Sequence, residues 1–124
     1  MSLRRLIYSS RVARHVRFAD AEEVAQKSVD RNQRLGLTGI LLYTPSHFLQ
    51  VLEGEPDAVG QTYLRISRDP RHSRLRIIDD CEISAREFGA WAMTAALGTA
   101  TSAELEALTA DGALALLRAA QPQR

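Results

Sequence analysis

The chain has one cysteine, one tryptophan and a single lysine, Lys27, in 124 residues. A lone Cys81 rules out an internal disulfide and any multi-cysteine metal site, and it suits a reducing compartment. It reads as a small strand hydrophobe. No run of about 18 apolar residues is present to span a bilayer, and the start MSLRRLIYSS has too short an apolar part for a signal peptide. A cytoplasmic protein without membrane association is expected. His15, His47 and His72 lack paired metal-ligand spacing, and no glycine-rich phosphate loop, nucleophile elbow or HExxH motif occurs. These absences leave little support for an enzyme or a metal site. No charge sign dominates either: the formal net charge is +1 and no basic run exceeds two residues, so no whole-molecule field favours nucleic acid or an anionic surface.

What is present is an ordinary globular composition, 45% apolar and 25% charged, in a length that suits one domain with its own core. Leu37 to Tyr43 and His47 to Leu52 are apolar runs flanking Thr44-Pro45-Ser46, which predicts two antiparallel strands joined by a hairpin. Alternation puts Leu41, Tyr43, Phe48, Gln50 and Leu52 on one face and Ile40, Leu42, Leu49 and Val51 on the other. Both faces are apolar, so the sheet must be covered twice. Gln50 is the exception on its face. A buried amide without partners costs about 1–3 kcal/mol, so Gln50 needs a hydrogen-bond partner.

Leu3 to Ser10 reads as a first strand, with Tyr8 the large aromatic on the face shared by Leu6 and Ser10. Asp20, followed by Glu23, resembles a capping box opening a helix from about Ala21 to Leu35, with Gly36 as its stop. Its core stripe, judged by Ala21, Val24, Ala25 and Leu35, also carries Ser28 and Asn32. Either Ser28 bonds back to its own helix and Asn32 caps the helix end, or both face a ligand. Glu55-Pro56-Asp57 opens a second helix with Val59, Tyr63 and Ile66 as its stripe and Asp69 as its last residue before Pro70. Arg65 and Asp69 are four apart and suited to pair.

Leu75 to Ile83 predicts a fourth strand, and Arg86 to Leu97 contains a fifth that places Trp91 and Met93 on one face, either as plain core or in a functional role. Beyond Gly98, two short helices, about Ala103 to Leu108 and Asp111 to Ala120, are capped by Thr101 or Ser102 and by Thr109. They are too short to stand alone and would dock through Leu105, Leu108, Leu114 and Leu117 on the second sheet face. The order of elements is an α+β, ferredoxin-like βαββαβ sheet with an added fifth strand and C-terminal helices on the opposite sheet face.

Tyr8, Gln50, Ser28 and Asn32 then converge between sheet and helix, with Arg65, Asp69, Arg71 and His72 at the edge. Such an uncharged polar slot suits a flat heteroaromatic ligand with donors and acceptors, and the basic edge suits a phosphate tail or a carbonyl. A sheet that binds single-stranded RNA would need exposed aromatics in a basic setting, whereas Tyr8 and Phe48 lie on the face assigned to the helices.

At these residues the sequence resembles the BLUF domain, a blue-light sensor that uses flavin. The resemblance rests on LIYSS around Tyr8, SVDRNQRLGLTGILLY around Asn32, HFLQVLEG around Gln50, ISRDPRH around Asp69 and REFGAWAM around Trp91, running in order from about Leu3 to Leu97. It implies noncovalent FAD, replaceable by FMN or riboflavin, between the two helices on one sheet face. Tyr8 and Gln50 would be the photoactive pair and Asn32 would bond the polar ring edge. Ser28, Leu41 and Phe48 would line the slot, while Arg31, Arg65, Asp69, Arg71 and His72 would border the ring or its phosphate-bearing side chain. Trp91 and Met93 would relay the signal. Arg31 stands where the family commonly has asparagine or histidine, and Ala92 where it commonly has serine.

The expectation is a photoreceptor, not an enzyme, in which light moves an electron and a proton from Tyr8 and rearranges the Gln50 amide. Residues 1–97 would form the sensor and 98–124 a helical cap of the same unit. Output would pass to a downstream protein or through homo-oligomer formation, with no direct contact to nucleic acid. The rival readings are a flavin-dependent enzyme and a cofactor-free ferredoxin-like module for RNA or protein binding.

Overall fold

The computed structural model describes residues 2–122. Its elements are β1 (Leu3–Val12), α1 (Phe18–Leu35), β2 (Thr38–Tyr43), β3 (His47–Gly54), α2 (Pro56–Ser67), β4 (His72–Ile83), β5 (Thr94–Leu97), α3 (Ser102–Glu106) and α4 (Ala110–Ala119). The strands lie in the order β4-β1-β3-β2-β5. The first four pair antiparallel and β5 joins β2 in parallel. This is the expected ferredoxin-like sheet, with one strand added at its edge.

The hairpin turn is held by Thr44, whose Oγ1 accepts from the main-chain N–H groups of Ser46 and His47. Strand alternation sorts the two faces as the sequence suggests. Leu6, Tyr8, Leu41, Tyr43, Phe48 and Leu52 share one core with α1 and α2. Ile7, Ile40, Leu42, Leu49 and Val51 share the other with Phe88 and with Ala113, Leu114 and Leu117 of α4. Thr101 and Thr109 cap α3 and α4 through their side-chain oxygens. Among the described residues no helix is long and apolar enough to cross a membrane.

Several boundaries differ from expectation. Helix α1 starts at Phe18 with Arg17 as its cap, so Asp20 is the third helical residue and accepts from the Arg17 N–H at 2.8 Å. Leu35 is 40% exposed and leaves the core stripe. Gly36 ends the helix as expected, at φ 68°, where the left-handed backbone favours glycine.

Helix α2 ends at Ser67 rather than Asp69. Without a helical repeat between them, Arg65 and Asp69 do not pair, and Asp69 binds Arg71 instead. Strand β5 begins only at Thr94. Trp91 and Met93 precede it in irregular backbone, where alternation does not apply, and they face opposite ways. Met93 packs in the α1/α2 core and Trp91 against the α4 core.

A buried carboxylate fixes the segment leading to Trp91. Glu53 is fully buried and accepts from the main-chain N–H groups of Glu87 and Phe88 at 2.7–3.2 Å, with Arg5 at 3.7 Å. Arg86 reinforces the join by donating to the carbonyls of Glu53 and Gly36. Arg118 of α4 pairs with Glu87, so tail, segment and sheet are connected at this corner.

Candidate functional site

A cleft opens between α1 and α2 over the first sheet face, lined by apolar walls with a few convergent polar groups, the make-up of a small-molecule or cofactor site. Its floor is Tyr8 from β1, Leu41 from β2 and Phe48, Gln50 and Leu52 from β3. Ser28, Arg31 and Asn32 come from α1 and Arg65 from α2, with Asp69, Arg71, His72 and Met93 completing the lining. Every residue expected to bind a cofactor therefore lies at one cleft, and of the two relay candidates Met93 alone reaches it.

Tyr8 and Gln50 are directly opposed in the β1–β3 register. That places their side chains on one face within reach of each other. Tyr8 Oη donates to Gln50 Oε1 at 2.5 Å, and Gln50 Nε2 donates to Met93 Sδ at 3.4 Å. The two residues are 2% and 5% exposed. Burial foremost, then Tyr63 and Asp69, pushes the Tyr8 phenol far above the usual tyrosine range, so it stays protonated and serves as a donor. The costly amide thus has a partner at each end.

Asn32 Nδ2 donates to the main-chain carbonyl of Ala92 at 2.8 Å. Because Ala92 contributes its backbone, the alanine at this position does not remove the bond. Ser28 does bond back to its own helix, donating to the Ala25 carbonyl at 2.8 Å, while still lining the cleft. Both His72 ring nitrogens are engaged, Nε2 with the Ile66 carbonyl at 2.7 Å and Nδ1 with Ser10 Oγ at 2.7 Å. A carbonyl only accepts, so Nε2 carries the proton and, in the neutral ring, Nδ1 accepts from the serine. His72 meets the cleft as an aromatic wall, stacked edge-on to Tyr8 and Phe48.

The mouth is cationic. Arg71 is held by Asp69 in a fork at 2.5–3.1 Å, and that bond holds the Asp69 carboxyl below the usual carboxylate range. The Arg65 side chain has no hydrogen bond or ion pair among the described residues, and the buried Nε of Arg31 also lacks a partner. Burial first, then Arg65 and Arg34, lowers the Arg31 guanidinium from its ordinary value. Two unneutralised guanidiniums above an interior of amides and apolar walls fit a ligand with a planar polar head and an anionic tail. The donor set therefore fits FAD.

Val16, Asp20, Ala21, Val24, Leu52, Thr62 and Ile66 also line the cleft, although the sequence pattern does not mark them as facing a ligand. Thr62 carried a usable signal: it is a polar residue within the Val59, Tyr63, Ile66 stripe, as Ser28 and Asn32 are within theirs. Asp20 was hidden by its second role at the start of α1.

Residues 3–94 match the family described as BLUF, sensors of blue-light using FAD. The photoactivated adenylate cyclase subunit beta of Euglena longa is 35% identical over 96 residues, 77% of this chain and 11% of that protein. The blue light- and temperature-regulated antirepressor BluF of Escherichia coli K12 is 37% identical over 84 residues, 68% of this chain and 21% of that protein. This chain thus spans about a fifth or less of these relatives' lengths. The solved dark-state structure of BlrB, a BLUF protein, superposes with a TM-score of 0.81 at 36% identity, covering 96% of this chain and 94% of that one. The chain belongs to the BLUF family, the blue-light sensors that use FAD as their cofactor.

Proposed function

We propose that this chain is a photoreceptor whose signal starts at Tyr8 and leaves through Gln50 and Met93. The observation that carries this reading is the continuous buried chain Tyr8 Oη to Gln50 Oε1 and Gln50 Nε2 to Met93 Sδ at the floor of the cleft. Asn32 and Gln50 would hold the polar edge of the ring of FAD, FMN or riboflavin. Ser28, Leu41, Phe48 and His72 would bound it, and Arg31, Arg65 and Arg71 would meet the phosphates. The bound flavin supplies blue-light absorption and an excited state that takes an electron.

The residues of the chain supply the rest. Tyr8 is the phenol at the cleft floor, and its proton already rests against an acceptor, Gln50 Oε1. Loss of an electron makes a phenol strongly acidic, so the proton can leave along that bond. When both return, the amide has a second arrangement available, turned over or tautomerised. In the turned amide Nε2 faces Tyr8 and Oε1 faces Met93. A thioether sulfur accepts but does not donate, so the Gln50–Met93 bond is lost in that state. Met93 lies one residue before β5, and the change passes to the edge strand of the sheet.

A two-state amide of this kind shifts the equilibrium of whatever it contacts. Output goes to another protein or through self-association, and the chain itself turns over no substrate. Two relatives support a role in regulation: one is described as an antirepressor and another as an adenylate cyclase subunit. The test is an absorption spectrum before and after blue light. A yellow protein with a reversible red shift supports the reading. Flavin reduction by added reduced nicotinamide, with no red shift, would replace it with a flavin-dependent enzyme, and a protein that stays colourless when flavin is supplied would leave a cofactor-free binding module.

A further inference from the structure

On the opposite sheet face, under the C-terminal end of α3, a second and more open pocket is lined by Ser9, Arg11, His47, Arg74, Arg76 and Glu106. Three arginines face one glutamate, so with His47 neutral the local charge is 3 − 1 = +2. Arg11 Nη2 donates to Glu106 Oε1 at 2.6 Å, and His47 Nε2 lies 3.6 Å from the same oxygen. Arg76 donates to the carbonyls of Leu105, Glu106 and Leu108 at 3.3 Å.

Two groups are left over. Arg74 makes no hydrogen bond or ion pair among the described residues, and it sits at φ 52°, in the left-handed region that disfavours a side chain. Ser9 lines the pocket, 4% exposed as a whole residue, and its hydroxyl makes no hydrogen bond to another described residue, so it is available to donate into the pocket. The pocket holds more donors than its single carboxylate can serve, and they converge from β1, β3 and β4.

We propose that this pocket binds the phosphate group of a small phosphomonoester, with Arg11, Arg74 and the Ser9 hydroxyl as donors and Glu106 as the carboxylate it displaces. A planar carboxylate is already in place as Glu106 and leaves Ser9 and Arg74 unserved. A tetrahedral dianion presents acceptors in several directions at once and engages guanidiniums strongly. Binding would release Glu106 from Arg11, and with it the last residue of α3 from the sheet.

The test uses the full flavin-loaded chain, labelled for nuclear magnetic resonance and titrated with inorganic phosphate, adenosine monophosphate and acetate. Phosphate and adenosine monophosphate are expected to give saturable shifts at Ser9, His47 and Arg74, with the His47 imidazole titrating at higher pH once an anion is bound. Arg74→Gly removes the guanidinium while suiting the backbone, and it should weaken binding roughly tenfold. Glu106→Gln removes the competing carboxylate and should tighten binding several-fold. Tighter binding of the nucleotide than of phosphate supports the site and adds a nucleoside contact. Shifts that do not saturate, that ignore both variants in a folded protein, or that acetate reproduces at equal concentration would overturn the proposal.

Discussion

Tyr8 and Gln50 stand opposite each other across the β1–β3 ladder, both almost fully buried, with the phenol donating to the amide oxygen at 2.5 Å. The ladder fixes the spacing and the cleft exposes the pair to a ligand on one side only. Tyr8→Phe deletes the donor, removes the proton source and leaves Gln50 Oε1 short of a partner. It should cost about 1–3 kcal/mol of stability and abolish the light-induced red shift while flavin remains bound. Thermal unfolding and difference spectra check the two parts separately, and a variant that cycles normally would sink the proposed mechanism.

In the proposed mechanism Met93 separates sensing from relay. Its sulfur receives the Gln50 amide at 3.4 Å, and the side chain is buried in the α1/α2 core. Met93→Ala should cost about 2–5 kcal/mol through the cavity it leaves. Its distinctive effect lies elsewhere: the red shift should persist, while light-dependent changes in hydrogen exchange across Thr94–Leu97 should disappear. Met93→Leu restores the volume without the sulfur, and it should recover most of the stability but not the exchange response.

Glu53 is a buried anion whose partners are two main-chain N–H groups and Arg5. Glu53→Ala leaves those donors without an acceptor and Arg5 with Glu87 as its remaining partner, and it should destabilise the fold by about 1–3 kcal/mol for each orphaned donor. Glu53→Gln retains acceptor capacity and should cost less. Both values are read from denaturant unfolding at neutral pH.

How much of this was legible beforehand depended on whether the local backbone was regular. Alternation along paired strands put Tyr8, Phe48 and Gln50 on one face and Leu49 and Val51 on the other, and four-residue spacing brought Ser28 and Asn32 to the same cleft. The same rule failed for Trp91 and Met93, because their segment is not a strand. The expected Arg65–Asp69 pair failed for a related reason: α2 ends at Ser67, so Asp69 turns to a neighbour two residues on. The Glu53 contacts were hidden because they are made to backbone some 34 residues away, and a side-chain pattern carries no information about main-chain donors.

His47 gives a pH signature distinct from that of the carboxylates. Burial lowers its imidazole from the ordinary value; Glu106 opposes that, and Arg11 and Arg76 add to it. With a depressed folded-state value, the unfolded chain binds the extra proton first. Stability is therefore full above the unfolded value of about 6.5 and falls as pH drops from there toward the folded value. Melting temperatures should decline between neutral and mildly acidic pH, and His47→Gln should flatten that decline without altering the loss at still lower pH, where carboxylates such as Asp69 titrate.

The cationic mouth yields the sharpest test of how the cofactor is held. Arg31 and Arg65 both line the cleft, and neither has a carboxylate partner among the described residues, whereas Arg71 is already neutralised by Asp69. If the first two meet phosphate, Arg31→Ala and Arg65→Ala should each weaken FAD and FMN binding by roughly five- to tenfold. Riboflavin, which has no phosphate, should bind the variants about as well as the parent. Added salt should reduce FAD affinity in the parent and do so less in the double variant, because fewer exposed charge pairs remain to be screened. Fluorescence quenching titrations with the three flavins measure all of this. An equal loss for riboflavin would instead place the two arginines against the ring.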